Sequence, residues 1–279
     1  MIEIICEIGI NHNASIETAK NLIRMAKTCG ADYVKFQKRD IETVYTKEFL
    51  DSPRESPWGN TQRDQKRALE FGQEQYEEID IFCKNIGIPW FASAWDIKSL
   101  EFLDQFKCPH QKVASAMITH KDFLREVARR KIHTYISTGM STMKVIEDAV
   151  DIFARQSCDF TLLHSTSLYP CPDEEAHLEM IKILLNRFGP PIGFSNHCPG
   201  ILASILAVQE GATVIEVHIT LDRASYGSDQ AASLEKHGLE QLIKECRGVK
   251  ICYGDGRKMI SQKENEVAKR LRYWKERED

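Results

Sequence analysis

The sequence predicts a (β/α)8 barrel, in which eight parallel strands alternate with helices. Short runs rich in β-branched and aromatic residues recur along the chain and alternate with stretches of helical spacing. Eight strand–helix units in about 250 residues is the usual size of this barrel as one domain. The two longest irregular stretches, residues 38–72 and 166–176, both follow predicted strands and not helices. We therefore expect both segments to lie over the carboxyl-terminal mouth of the barrel.

Each strand is predicted from one short apolar run. The eight runs are IEIIC at 2–6, DYVKF at 32–36, IPWFA at 88–92, QKVA at 111–114, HTYIS at 133–137, FTLLH at 160–164, PIGF at 191–194 and TVIEV at 213–217. Among the helices between them, the first is predicted to begin at an N-cap on Ser15 and to end at Gly30. A later helix covers TMKVIEDAVDIFARQ at 142–156, where apolar residues recur at intervals of three and four residues.

The carboxyl-terminal segment lies outside the eight-fold repeat. Residues 257–279 are predicted to form one final helix, and no second domain is expected within 1–279. The charged residues of this segment alternate in sign, which is typical of a solvated helix face.

Composition excludes several classes of protein. The chain has 279 residues, of which 42% are hydrophobic and 28% charged, and its formal net charge is −4. The charges are interspersed, so neither a nucleic-acid surface nor a membrane surface is predicted. No apolar run approaches the roughly 20 residues that span a bilayer, and the amino terminus lacks the pattern of a secretory signal. We expect a cytoplasmic protein.

Nine cysteines are present, an odd number without any C-x-x-C pair. This pattern favours reduced and mostly buried thiols over a disulfide framework or a structural zinc site. Cys198, beside His197, is a candidate nucleophile or ligand, although a packed thiol is the favoured interpretation.

Polar residues are predicted at the carboxyl end of every strand, where the active sites of these barrels are built. In chain order they are Glu7; Lys35 and Gln37; Ser93; Lys112 and Ser115; Ser137 and Thr138; His164, Ser165 and Thr166; Ser195, Asn196 and His197; Glu216 and His218. Lysines and hydroxyl groups facing one axis predict an anion pocket for phosphate and carboxylate together. Two histidines at the ends of neighbouring strands predict a shared divalent metal with open positions for water and substrate.

Eight motifs in barrel order give the chain a resemblance to the sialic acid synthases. They are EIGINHN at 7–13, VKFQ at 34–37, KVAS at 112–115, STGM at 137–140, LLHSTSLYPCP at 162–172, GFSNH at 193–197, Glu-x-His at 216–218 and SDQAAS at 228–233. Together they run over nearly the whole chain. Members of this family condense phosphoenolpyruvate (PEP) with an aldehyde sugar, which gives a nine-carbon ulosonic acid and phosphate.

The resemblance implies a role for most of the residues at the strand ends. PEP binding falls to Lys35, Lys112, Ser115, Ser137 and Ser195. The metal, manganese in this family, falls to His197 and His218, where it would polarise the aldehyde. Glu7 is implied as an acid–base carboxylate, and the sugar contacts are Gln37, Tyr169 and Asp229. Glu216 stays open between a supporting role beside the metal and a purely structural one.

The sequence departs from the family pattern in four places. Two positions after Ser115, where the family has an acidic residue, this chain has Met117. A threonine of the family is replaced by Ala94, and an asparagine is replaced by Ser167. The family also continues into an antifreeze-like domain that gives an arginine to the sugar site of the partner subunit, whereas this chain stops at Asp279. The sugar pocket would then be completed by the insertion 38–72, by a separate protein, or not at all.

The sequence leaves two other functions open. A metal-assisted pyruvate aldolase or lyase would need no phosphate pocket, so the inward lysines and the serine set count against it. A barrel without catalysis that binds a sugar or a partner is suggested by Met117 and by the missing domain. The leading interpretation is a metal-dependent, PEP-condensing ulosonic acid synthase that forms a homo-oligomer.

Overall fold

The computed structural model describes residues 2–272 and residue 274. Eight parallel strands close into a barrel, as predicted, in the order β1-β10-β9-β8-β7-β6-β5-β2, and β2 pairs back to β1. A separate antiparallel pair, β3 and β4, lies outside it. The strands are β1 (Glu3–Glu7), β2 (Tyr33–Lys38), β3 (Pro53–Ser56), β4 (Gly59–Thr61), β5 (Trp90–Ala94), β6 (Gln111–Val113), β7 (Thr134–Ser137), β8 (Phe160–His164), β9 (Ile192–Asn196) and β10 (Val214–His218).

One helix of the outer layer follows each barrel strand, and short helices fill the insertion after β2. The helices are α1 (Ile16–Cys29), α2 (Ile41–Val44), α3 (Lys47–Leu50), α4 (Gln62–Leu69), α5 (Gln73–Ile86), α6 (Ile97–Asp104), α7 (Lys121–Arg129), α8 (Met143–Arg155), α9 (Met180–Phe188), α10 (Leu202–Gln209), α11 (Lys236–Tyr253) and α12 (Gln262–Leu271).

Local sequence signals explain the helix ends. Ser15 accepts a hydrogen bond from the backbone N–H of Thr18, and Gly30 takes the left-handed conformation at φ 91°, so α1 has both predicted caps.

The final helix is shorter than predicted. Gly254 ends α11, and Ser261 accepts from the backbone N–H of Glu264 to begin α12. Residue 273 and residues 275–279 of that predicted helix lie outside the described residues.

The alternation of side chains along each strand places an apolar layer beneath a polar one inside the barrel. The lower layer is a buried cluster of one residue from each of five strands: Ile5, Phe91, Tyr135, Leu163 and Val214. Two residues further along the same strands stand Glu7, Ser93, Ser137, Ser165 and Glu216. Because the strand period is two, these residues face the same axis at the carboxyl end. The fold therefore closes the lower barrel with hydrocarbon and leaves the upper end polar.

The insertion after β2 packs on the loop that joins β10 to α11. The amide of Gln65 donates to the hydroxyl of Tyr226 at 3.3 Å, and the ring of Trp58 meets the Tyr226 ring edge-on at 5.7 Å. Both predicted insertions thus follow strands at the mouth, as expected.

The nine cysteines are free thiols, and six of them are buried, Cys198 included. In the described part of the chain, no helix is long and apolar enough to cross a membrane.

Candidate active site

A solvent-open cavity of about 260 Å³ lies at the carboxyl end of the barrel strands. Of the predicted site residues, all except Asp229 line it. The structure therefore brings together side chains from seven different barrel strands or the loops that directly follow them. The predicted residues at the cavity wall are Glu7, Lys35, Gln37, Lys112, Ser115, Ser137, Tyr169, Ser195, His197 and His218.

Glu216 lies at the centre of the buried charges. Lys112 donates to both of its carboxylate oxygens, at 2.8 and 3.1 Å, and Ser195 donates to Oε1 at 2.9 Å. Lys35 stands 3.7 Å from Oε2. Both lysines are therefore matched by acidic groups, because burying an unpaired ammonium group is costly. The sequence did not indicate this compensation.

Lys35 also forms an ion pair with Glu7 and donates to the hydroxyl of Ser93 at 3.1 Å. The other carboxylate oxygen of Glu7 accepts from the amide of Gln37 at 2.9 Å. On the opposite side, Lys112 donates to the hydroxyl of Ser137 at 2.8 Å. Each lysine thus holds a carboxylate and a serine hydroxyl at the same time.

The charges set the protonation of this network. Burial alone would raise the pKa of the Glu216 carboxyl, but Lys112 and Lys35 outweigh burial and bring it to about 2. Burial likewise opposes the charge of Lys35, yet Glu216 and Glu7 raise its pKa above the usual value. For Lys112, burial prevails and lowers the pKa. Glu216 is therefore a permanent anion at neutral pH.

Three serine hydroxyls meet around one glycine. The backbone N–H of Gly139 donates to the hydroxyls of Ser115 and Ser165, both at 3.1 Å, and these two hydroxyls lie 3.3 Å apart. A Cβ atom at Gly139 would overlap the hydroxyl of Ser167 and lie 2.8 Å from that of Ser115. Only glycine leaves this space open, and the hydroxyls around it are suited to an anion's oxygen atoms.

His197 is held as one neutral tautomer. Its Nδ1 lies 2.6 Å from the carbonyl oxygen of Thr166, which can only accept, so Nδ1 carries the proton. Its Nε2 accepts from the hydroxyl of Tyr169 at 2.9 Å. Burial and the neighbouring His218 lower the pKa of His197 to about 3. Nε2 is therefore unprotonated at neutral pH, and its lone pair is engaged by the Tyr169 hydroxyl.

His218 lies beside His197, with 5.5 Å between ring centroids. Its Nδ1 is buried and has no hydrogen-bond partner among the described residues, and the nearest carboxylate, Asp229 Oδ2, is 3.7 Å away. An orphaned imidazole nitrogen next to a neutral imidazole is a donor set that fits a divalent metal. Within residues 2–272 and 274, no group of three or more side chains forms a complete metal site. Other ligands would have to come from water and substrate.

Not every polar strand end reaches the cavity. The hydroxyl of Thr138 donates to the carbonyl of Leu163, and Asn196 bonds to the backbone of the following turn. The Nε2 of His164 lies 2.8 Å from the carbonyl of Ala176 and so supports the loop after β8. In a run of consecutive polar residues only alternate ones can face the axis, which is why these three are structural.

The departures from the family pattern fall in different places. Met117 ends the short 3₁₀ helix Ser115–Met117 and packs against the hydrophobic core, away from the cavity wall. Ala94 is buried, whereas Ser167 lines the cavity. Of the three replaced contacts, only the one at Ser167 still offers a polar group to the cavity.

Comparison with known proteins assigns the chain to a family. The model of the NeuB family matches residues 22–258. The chain belongs to the NeuB family. It is 39% identical over 260 residues to the N-acetylneuraminate-9-phosphate synthase of Mus musculus. The aligned region covers 92% of this chain and 72% of that protein. It is 33% identical over 269 residues to the N,N'-diacetyllegionaminic acid synthase of Legionella pneumophila, over 94% of this chain and 76% of that protein.

A solved NeuB-like structure has the same fold. The N-acetylneuraminic acid synthetase of Leptospira borgpetersenii, solved in complex with citrate, superposes with a TM-score of 0.84 at 28% identity. The match covers 99% of this chain and 93% of that one. The predicted family and the predicted barrel are both confirmed.

The NeuB site also contains residues that sequence reasoning missed. Trp95 and Met140 line the cavity, and Met140 adopts a left-handed φ of 56°. Arg39, in the loop after β2, donates to Gln37 Oε1 at 2.7 Å and so reaches the cavity through that amide. No periodic pattern marks these residues, because they lie in loops.

Proposed function

We propose that this protein condenses PEP and one molecule of water with an aldehyde sugar, giving a sialic-acid-like ulosonic acid and inorganic phosphate. The observation that carries the proposal is a pair of buried lysines, Lys35 and Lys112, which face a polar cavity in a NeuB-family barrel. Lys35 pairs with Glu7 and has a raised pKa, which keeps its ammonium form and disfavours attack on a carbonyl, and Lys112 pairs with Glu216. A pyruvate aldolase would not need these phosphate-binding donors, because pyruvate carries no phosphate group.

The residues divide between the two substrates. We propose that the phosphate and carboxylate of PEP bind Lys35, Lys112, Ser115 and Ser137, with Ser195 beside Glu216. Gln37, Tyr169 and Asp229 would orient the sugar. Removing the three carbons of PEP from a nine-carbon acid leaves a six-carbon aldose. A relative named for a 9-phosphate product corresponds to an aldose with phosphate at its sixth carbon.

Glu7 would move the proton of the reaction. Its carboxylate is fixed from two sides, by the ammonium group of Lys35 and by the amide of Gln37. A PEP anion that takes over part of the Lys35 contact would free one carboxylate oxygen for proton transfer at the reacting aldehyde. A divalent metal on His197 and His218, which we propose to be Mn²⁺, would supply Lewis-acid polarisation of the aldehyde.

We propose that the enzyme acts in the cytoplasm as a homo-oligomer. The nine free thiols support a reducing compartment. We propose that a separate antifreeze-like domain protein completes the sugar pocket. The insertion after β2 is the alternative, since it reaches the cavity through Arg39.

The direct test is incubation with PEP, Mn²⁺ and a panel of aldoses, with inorganic phosphate and the ulosonic acid product both measured. We expect one molecule of phosphate per molecule of product, and no release when the aldose is omitted. Release of phosphate without an aldose would indicate a phosphatase, and product formation from pyruvate in place of PEP would favour the aldolase.

Replacing either buried lysine is expected to weaken PEP binding. A charge-assisted contact to phosphate or carboxylate is worth about 1.5 to 3 kcal/mol, so Lys35→Met and Lys112→Met should raise the dissociation constant of PEP roughly tenfold to hundredfold. Titration calorimetry with PEP measures this change. Lys98→Met is the control, because Lys98 is exposed and pairs with Asp40. Unchanged affinity in both lysine variants would contradict the anion pocket.

The glycine between the serines gives a steric test. Gly139→Ala should place a methyl group between the hydroxyls of Ser115, Ser165 and Ser167, where it overlaps that of Ser167, so PEP should bind at least tenfold more weakly. Gly248→Ala, where an added Cβ meets nothing, is the control. Normal PEP binding in Gly139→Ala, with an unchanged melting temperature, would place the PEP anion elsewhere.

A further inference from the structure

Three residues at or just after β2 repeat at the two-residue period of a strand: Lys35, Gln37 and Arg39. Residues two apart on a strand face the same side, and here that side faces Glu7. Lys35 forms an ion pair with the Glu7 carboxylate, and Gln37 donates to it. Lys35 and Gln37 line the cavity, whereas Arg39 stands one contact behind Gln37. Any effect of Arg39 on the reaction would therefore pass through the Gln37 amide.

Hydrogen bonds determine which end of the Gln37 amide faces which partner. The guanidinium of Arg39 can only donate, and its Nη2 donates to Gln37 Oε1 at 2.7 Å. The amino group of Gln37 then faces the other way, where Nε2 donates to Glu7 Oε1 at 2.9 Å. A carboxylate can only accept, so the reversed amide would bring two acceptor oxygens together. Arg39 thus selects the one orientation of the amide that holds Glu7.

The Arg39 guanidinium is itself held in place by its surroundings. Its Nη1 donates to the hydroxyl of Tyr45 at 3.0 Å, and its Nε stands 2.9 Å from the Glu70 carboxylate. It lies over the ring of Trp95, 5.0 Å from the ring centroid. The side chain is buried, and its planar fork is engaged along its edges and on one face. The orientation that it imposes on Gln37 is therefore fixed.

The backbone leaves room for the hydrogen bond between Gln37 and Glu7. Gly9 adopts a left-handed φ of 51°, and a Cβ atom there would lie 2.8 Å from Glu7 Oε1 and 3.1 Å from Gln37 Nε2. Only glycine avoids this crowding. An amide has two hydrogens and two lone pairs, and Glu7 and Arg39 use one of each. Gln37 therefore keeps one donor and one acceptor for a substrate while it holds Glu7.

We propose that Arg39 is a positioning residue for the condensation, which fixes the Gln37 amide so that Glu7 stays aimed at the reacting aldehyde. The inference rests on the proposed function, because it takes Glu7 as the group that moves the proton. Lys35 holds Oε2 of Glu7, and the Gln37 amide holds Oε1. A carboxylate held at one oxygen can rotate about its last bond, and a misplacement of about 1 Å can cost about 10²-fold in rate.

Steady-state kinetics test the proposal with Arg39→Met. This change is made together with Glu70→Gln, so that no buried carboxylate loses its counter-charge. Relative to Glu70→Gln alone, kcat should fall roughly tenfold to hundredfold, because the amide is free to turn. The KM for PEP should not change. Arg67→Met is the control, since Arg67 is exposed on α4 and pairs with Glu42, and it should keep the wild-type kcat.

A double-mutant cycle shows whether Arg39 acts through the amide. Gln37→Met removes the amide, also in the Glu70→Gln background. Residues that act through one contact are not additive, so Arg39→Met should lower kcat no further once Gln37→Met is present. Two losses that multiply would mean that Arg39 acts by another route, and would overturn the proposal.

The side-chain amide protons of Gln37 give a readout that needs no turnover. In protein labelled with ¹⁵N-glutamine, the NH₂ resonances that disappear in Gln37→Met belong to Gln37. The proton bonded to Glu7 should exchange slowly with solvent in Glu70→Gln. Arg39→Met in the same background should speed this exchange roughly tenfold or more, because the hydrogen bond opens. Arg67→Met should leave the exchange rate unchanged.

The outcomes separate this inference from the proposed function. If no aldose is converted but Arg39→Met speeds the amide exchange, the proposed reaction fails and the restraint on Glu7 stands. If condensation proceeds and Arg39→Met keeps the kcat of its reference, the reaction stands and the positioning role is overturned. A fall in kcat with unchanged exchange at Gln37 would place the effect of Arg39 elsewhere, and would also overturn it.

Discussion

His218→Ala is expected to abolish condensation and to lower bound manganese to near the background. Among the residues that the structure describes, His197 and His218 are the two imidazoles at the cavity wall, so loss of one leaves a single imidazole ligand. His197→Ala should have the same effect. Metal content after dialysis, together with phosphate release from PEP, measures the result. Treatment with EDTA should inactivate the wild type, and Mn²⁺ should restore it.

His237→Ala is the matched control for this prediction, because His237 is exposed on α11. It should keep wild-type metal content and activity. Each active-site variant should also keep its melting temperature within a few degrees, since both histidines face a cavity. If either variant retained a full complement of manganese and turned over normally, the pairing of the two histidines would be wrong.

The barrel was predictable because its signals are local. Each strand is one short run, the α1 caps at Ser15 and Gly30 are read directly from residue type, and both insertions follow strands. The alternation of side chains then carries Lys35 and Lys112 to one axis. These inferences need no knowledge of which strands become neighbours in space.

The charge balance of the site was not predictable in the same way. Lys112 meets Glu216 across the barrel at a separation of 104 residues, and this distance in sequence leaves no periodic trace. The contact of Arg39 with Gln37 likewise depends on how the chain folds after β2. By contrast, the outward direction of Thr138 and Asn196 follows from the period of two, so that signal was present in the sequence.

Glu7→Gln is expected to lower kcat at least ~10²-fold, the usual loss when a positioned acid–base group is removed. Glutamine has the same shape and can still meet Gln37, but it carries no charge beside Lys35 and cannot exchange a proton. Because Lys35 also loses its counter-charge, PEP binding must be measured separately from kcat. We expect kcat to fall much more than the affinity for PEP.

The control for Glu7→Gln lies at Met117, where the family has an acidic residue and this chain has none. Met117 packs against the core beside Ser115, so Met117→Ala should lower the melting temperature and leave kcat within a few fold of the wild type. If an acid at this position were indispensable, the wild type would bind PEP and manganese yet release no phosphate with any aldose, and Met117→Glu would restore release. We expect the opposite, because Glu7 stands at the cavity wall with its carboxylate held ready by Lys35 and Gln37, whereas the Met117 side chain does not reach that wall.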